Sequence, residues 1–246
     1  MTGSVLLQKG LKKPFLKITR FLYPTRCPIC DDPAWPTDRG ICFSCMKKLK
    51  ANAGFFCEKC GKKLNPGDGL CNDCKTKGHV FERCRSAFEY DGISESLYRF
   101  KYLGRREYAK VYAGLSVEVL RDYLTIIKPD VITPVPLSRE KENKRGYNQA
   151  LDLCVALSAE TGIPVLPDTV RRVKNTAPMK LLSPSERQKN LKNAFKSGEN
   201  VVKSKRVLLV DDIYTTGATM DACAEILYGE GADSVYCLTI SSGAGI

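Results

Sequence analysis

The sequence predicts an α/β domain, a parallel sheet flanked by helices, preceded by a small cysteine-rich module. Three observations carry this reading. Eight of the twelve cysteines lie between residues 27 and 74, in four Cys-x-x-Cys units. From about residue 85, short apolar runs alternate with helical periodicity. The strand expected at 206–210 carries behind Arg206 an unbroken apolar run, Val207 to Val210, of the kind found in central parallel strands, which are covered on both faces.

Residues 1–24 read as a basic lead-in. Lys9, Lys12, Lys13, Lys17 and Arg20 interrupt any apolar core, so a signal peptide is not expected. Pro14 opens a short helix with Phe15, Ile18, Phe21 and Leu22 along one side, more readily docked on its own protein than laid on a membrane. The compartment expected is the reducing cytosol, where paired cysteines bind metal more often than they form disulfides.

The Cys-x-x-Cys units are Cys27/Cys30, Cys42/Cys45, Cys57/Cys60 and Cys71/Cys74, an internal repeat over residues 25–80. Such a turn aims two thiolates at one point, and a second turn completes a tetrahedron about zinc. With cysteine at every position and no place for water, two structural Zn²⁺ sites are expected. Even spacing permits sequential ribbons or an interleaved cross-brace. A redox role needs one such motif at a helix start, not four.

Beyond residue 85, strands are expected at 86–90, 130–134, 206–210 and 234–240. Helices are expected at 93–103, 108–127, 148–161 and 218–228, with Cys154 and Cys223 as small core residues. Residues 207–219 are the informative stretch: Val-Leu-Leu-Val-Asp-Asp-Ile-Tyr-Thr-Thr-Gly-Ala-Thr. A strand delivers Asp211 and Asp212 at its C-terminal end, where α/β sheets bind ligands. The hydroxyls of Thr215, Thr216 and Thr219, with the N–H groups of the following helix, would cradle a phosphate. Gly217 lets the backbone approach it. A phosphate at one end and hydroxyls or Mg²⁺ further along describe a sugar phosphate.

This stretch resembles the loop by which type I phosphoribosyltransferases hold 5-phosphoribosyl-1-pyrophosphate (PRPP). More of the chain resembles the ComF/ComFC competence family. The features are the four Cys-x-x-Cys units, residues 100–107 (Phe-Lys-Tyr-Leu-Gly-Arg-Arg-Glu), Pro134 to Leu137 followed by Arg145 to Gln149, and the run from Arg171 and Arg172 to Leu191. The resemblance covers about 25–244. It implies a double zinc ribbon and a phosphoribosyltransferase-like domain over 85–246. Asp211 and Asp212 would hold ribose and Mg²⁺, and Tyr214, Thr215, Thr216, Gly217, Ala218 and Thr219 the 5′-phosphate. The loop after Pro134 occupies the family's pyrophosphate position, making Val135, Pro136 and Leu137 candidates. Arg139, Lys144 and Arg145 would meet pyrophosphate or form a solvated charged loop. Lys174, Arg187 and Lys189 fall where transferases carry a mobile loop, and would reach ligand or DNA. The family's usual acceptor-gripping hood has no clear counterpart.

Two function classes follow: Mg²⁺-dependent phosphoribosyl transfer from PRPP to an acceptor, or a non-catalytic single-stranded DNA-binding or adaptor role among competence proteins, with PRPP as regulator. Phe55, Phe56, Phe81, Tyr98, Phe100 and Tyr102, interleaved with basic residues, would stack bases or pack a core. The net charge of +12 fits an anionic partner, and residues 1–80 supply most of it, with 15 basic against 6 acidic side chains. No apolar run spans a bilayer. The one histidine, His79, nearly excludes His-based metal sites and a Ser-His-Asp triad.

Overall fold

In the cysteine-rich region each second Cys-x-x-Cys arm opens a short helix. Helix α1 is Phe43–Lys48 behind Cys42, and α2 is Asn72–Thr76 behind Cys71. The computed structural model describes residues 25–34, 39–173 and 194–243. The expected helix in 1–24 and the candidates Lys174, Arg187 and Lys189 lie outside them.

The chain then runs through β1 (Arg83–Glu89), α3 (Ser94–Tyr102), α4 (Tyr108–Val119), α5 (Arg121–Ile127), β2 (Val131–Pro134), α6 (Arg139–Arg145), α7 (Gln149–Thr161), β3 (Val170–Arg172), β4 (Phe195–Ser197), β5 (Arg206–Tyr214), α8 (Ala218–Gly229) and β6 (Ser234–Ser242). Four strands form a sheet in the order β1-β6-β5-β2, every pairing parallel. β3 and β4 form a separate antiparallel pair.

Strand alternation explains why both faces of β5 are apolar. Leu208 and Val210 enter the core with Leu97, Phe100, Tyr112 and Leu157, while Val207 and Leu209 enter the opposite one with Met220, Cys223 and Leu227. Cys154 and Cys223 are fully buried, one in each core, as expected.

Four details depart from the sequence reading. The helix expected over 108–127 breaks at Leu120, where φ −102° and ψ 22° leave the helical region. The break seats Tyr123 so that its hydroxyl donates to the carbonyls of Arg83 and Cys237. Strand β5 continues past Val210 to Tyr214, so the acidic pair lies inside the strand, with Asp211 in register with Thr239. Residues 139–145 form a helix rather than a charged loop. The β3–β4 pair flanks the segment 174–193, and residues 195–197 carried no strand signal.

The cysteine module is built onto the sheet domain. Arg99 of α3 donates to the carbonyl of Ile29 at 2.6 Å, and Asp31 accepts from Arg105 at 2.7 Å and from the Tyr108 hydroxyl. Further along, the Cys84 N–H of β1 donates to the Lys59 carbonyl at 2.7 Å. Gly61 has φ +73°, and a Cβ there would stand 2.7 Å from the Cys84 carbonyl oxygen. A side chain at 61 would push the knuckle off the strand.

Candidate functional site

The eight cysteines gather into two groups: Cys27, Cys30, Cys42 and Cys45, and Cys57, Cys60, Cys71 and Cys74. Within each group the sulfur atoms all lie within 4.8 Å of one another. The arrangement is therefore sequential, not interleaved. Zinc–sulfur bonds of about 2.3 Å in a tetrahedron require sulfur–sulfur edges of about 3.8 Å. The Cys30–Cys42 separation is 3.8 Å and Cys60–Cys71 is 3.6 Å. The backbone N–H of Cys71 also points at the Cys57 sulfur at 3.3 Å, a contact that supports a thiolate. Four soft thiolates in closed tetrahedral groups fit two structural zinc ions.

The two groups differ in exposure. Cys30 is exposed and Cys42 half-buried, whereas all four cysteines of the second group are buried. Metal analysis of the purified protein is expected to give two zinc ions per chain. A chromogenic chelator should extract one rapidly and the second much more slowly. Simultaneous release at one rate would contradict this asymmetry.

Inside the last half of β5 the acidic pair takes up two distinct environments. Asp211 is half-buried, and one of its carboxylate oxygens accepts the Asp212 N–H at 2.8 Å. Burial pushes its carboxyl up to about 6, and the charges of Lys101, Arg145, Arg172 and Lys141 oppose that rise. Asp212 is buried, and its Oδ2 has no hydrogen-bond partner of good geometry. Its counter-charge is the Lys101 ammonium at 2.5 Å. Burial lowers Lys101 to about 8.

The turn after β5 runs from Thr215 to Gly217 into α8. Thr215 and Thr216 are exposed, Ala218 and Thr219 half-buried, and Gly217 buried with φ +77°. The N–H groups of the first turn of α8 have no partner within the helix, leaving them available to an anion. Tyr214 points elsewhere: its ring is buried in the core that holds the second cysteine group, and its hydroxyl meets His79 at 3.1 Å. Any contact from Tyr214 to a phosphate in the turn therefore falls to its backbone.

Val135 and Pro136 follow β2 alongside this edge. The Val135 N–H donates to the Val210 carbonyl at 2.9 Å, and Asn148 donates to the Val135 carbonyl at 3.2 Å. Arg145 closes α6, donates to Gln149 at 2.7 Å, and lies 4.8 Å from the centroid of the Tyr102 ring. Arg139 and Lys144 are exposed on α6.

Sequence reasoning missed Lys101, Lys141 and Arg172 as neighbours of the acidic pair. Lys101 stood within the Phe-Lys-Tyr-Leu-Gly motif at 100–104, which was the available signal, but nothing in that motif names its partner. The charges of these four basic side chains act on Asp211 and favour an anion beside it.

The chain resembles known proteins in both of its parts. Residues 18–75 match the double zinc ribbon domain, and residues 141–244 the phosphoribosyl transferase domain. The chain thus joins a zinc-ribbon module to a domain of the phosphoribosyltransferase class. Competence protein F of Haemophilus influenzae is 32% identical over 216 residues, covering 85% of this chain and 93% of that protein. DNA utilization protein YhgH of Salmonella typhi is 33% identical over 221 residues, covering 87% and 96%. Competence protein ComFC of Bacillus subtilis is 29% identical over 237 residues, covering 87% and 93%. The chain belongs to the ComF family of competence and DNA utilization proteins.

Proposed function

We propose that this protein binds PRPP at Asp211, Asp212 and the 214–219 turn, and transfers its phosphoribosyl group to an acceptor. The observation that carries the reading is the acidic pair in the last half of β5, with the charges of Lys101, Arg145, Arg172 and Lys141 acting on Asp211 and the Thr-Thr-Gly turn two residues further on. Thr215, Thr216 and the N–H groups through Thr219 would bind the 5′-phosphate. Asp211 would accept hydrogen bonds from the ribose hydroxyls. The two carboxylates would stabilise positive charge developing on the sugar as pyrophosphate leaves.

Mg²⁺ fits this donor set, because it takes hard oxygen ligands and binds through one or two carboxylates together with substrate phosphates. Asp211 is the better placed of the pair, since Asp212 is already matched to Lys101. Bound with PRPP, magnesium supplies neutralisation of the departing pyrophosphate. The basic side chains Lys141, Arg145 and Arg172, with Val135 and Pro136, would receive that group. Relatives bearing competence and DNA utilization names support placing the activity in the handling of incoming DNA. The reducing cytosol suits eight cysteines kept available to zinc. Among the described residues no helix is long and apolar enough to cross a membrane. The test is pyrophosphate release from Mg–PRPP in the presence of candidate acceptors, with binding measured alongside by calorimetry. Absence of both would overturn the reading.

A second reading, single-strand binding without turnover, draws on one surface feature. Of the six aromatics considered, Phe81 and Phe100 are core residues, whereas Phe55, Tyr98 and Tyr102 are exposed. Tyr98 and Tyr102 lie 5.1 Å apart, with Arg145 on Tyr102. Base stacking on such a platform contributes about 1–3 kcal/mol per base. Under this reading Tyr98→Ala with Tyr102→Ala weakens binding of a fluorescent single-stranded oligonucleotide roughly 10-fold or more. Unchanged anisotropy curves across salt would remove the platform from consideration.

A further inference from the structure

The lone histidine of the chain sits behind the proposed phosphate turn. His79 follows the second cysteine group by five residues and is buried, with 6% of its side chain exposed. Its Nδ1 lies 2.8 Å from Asp221 Oδ2, and the other oxygen of that carboxylate accepts the Val80 N–H at 2.8 Å. Its Nε2 lies 3.1 Å from the Tyr214 hydroxyl. The carboxylate only accepts, so Nδ1 carries a proton, and Nε2 shares a hydrogen bond with the Tyr214 hydroxyl, which can donate or accept. Phe81 stacks on the ring at 4.7 Å.

These contacts bracket the turn from both ends. Tyr214 closes β5 before it, and Asp221 stands in the first turn of α8 after it. Between them, a Cβ on Gly217 would meet His79 Cε1 and the Tyr214 hydroxyl oxygen, each at 2.7 Å. The imidazole therefore fills the space behind the glycine, and no other residue type fits there without displacing it.

We propose that His79 is a positioning residue for this turn, borne on the chain that leaves the second cysteine group and locking Tyr214 to Asp221 behind Gly217. This rests on the reading of the turn as the 5′-phosphate site. The zinc-ribbon module would then set the shape of the phosphate turn from behind, without touching the ligand.

The test compares His79→Ala and His79→Gln in full-length, zinc-loaded protein. Glutamine carries an amide to the Nε2 position and can keep a hydrogen bond with the Tyr214 hydroxyl in either direction. Mg–PRPP affinity is expected to fall at least 10-fold in His79→Ala and to recover most of the way in His79→Gln, with two zinc ions retained in both. Equal affinity of wild type and His79→Ala would overturn the proposal. Hydrogen exchange of the ligand-free proteins gives an arm that needs no PRPP. The peptide spanning 213–221 should exchange faster in His79→Ala, while peptides of α3 and α7 stay unchanged. Unaltered exchange there, or acceleration everywhere, also overturns it. Wild-type protein that binds no PRPP but shows the local change would instead sink the phosphate assignment and leave His79 as the lock of the turn.

Discussion

Asp211→Asn is expected to weaken Mg–PRPP binding about 10- to 100-fold at pH 7.5. Hydrogen bonds to a charged acceptor contribute about 1.5–3 kcal/mol, and the amide keeps the shape without the charge. The variant should fold, because the Asp212 N–H retains an oxygen acceptor in the amide. The pH dependence sharpens the test. Burial raises the Asp211 carboxyl from 3.8 to about 6 in the folded protein. A raised folded value means that the neutral form is favoured by folding. That contribution to stability is complete below about 3.8 and is lost as pH rises through about 6. Two results follow. Wild-type affinity should fall toward that of the variant as pH drops from 7.5 to 5. The stability advantage of Asp211→Asn should in turn grow as pH rises from about 4 to about 6 and level off above it. Calorimetric affinities and melting curves over these ranges check both. A variant that keeps full affinity at pH 7.5 would show that Asp211 does not hold the ligand.

The second large effect concerns stability. Lys101→Met leaves Asp212 buried without a counter-charge, and its Oδ2 has no hydrogen bond to fall back on. Removing one partner of a buried ion pair costs about 3–5 kcal/mol. Urea denaturation should report a loss of that size. Lys101→Met combined with Asp212→Leu should recover much of it, since an apolar pair of similar volume leaves no orphaned charge. A single variant within about 1 kcal/mol of wild type would mean that solvent already reaches Asp212. This pair also explains why the acidic couple is not symmetric. Asp212 is neutralised by the protein itself, while Asp211 faces the cations that would meet a ligand.

Local spacing made much of the fold legible. Four Cys-x-x-Cys units marked the two cysteine groups because a tight turn brings the two sulfur atoms of each unit together. The apolar run at 207–210, the paired aspartates and the Thr-Thr-Gly turn marked a strand, its C-terminal half and a helix start. The period of the pattern identified α7, and Asn148 caps it as its side-chain oxygen accepts the Ala150 N–H. What local spacing did not mark was the break at Leu120, which exists so that Tyr123 reaches β1 and β6. Helix α6 was hidden for a different reason: it buries no residue, so its charged sequence carries no apolar stripe.

The sequence by itself determined the family, the α/β class, the eight cysteines suited to metal and the stretch 207–219, because each is written in contiguous residues whose spacing dictates their geometry. The tertiary structure alone decided that the cysteines group sequentially and that Lys101 neutralises Asp212. It also decided that Tyr214 turns inward and that His79 stands behind Gly217. Each of these joins positions separated along the chain, and only the packing of helices and knuckles on the two faces of one sheet brings such positions together.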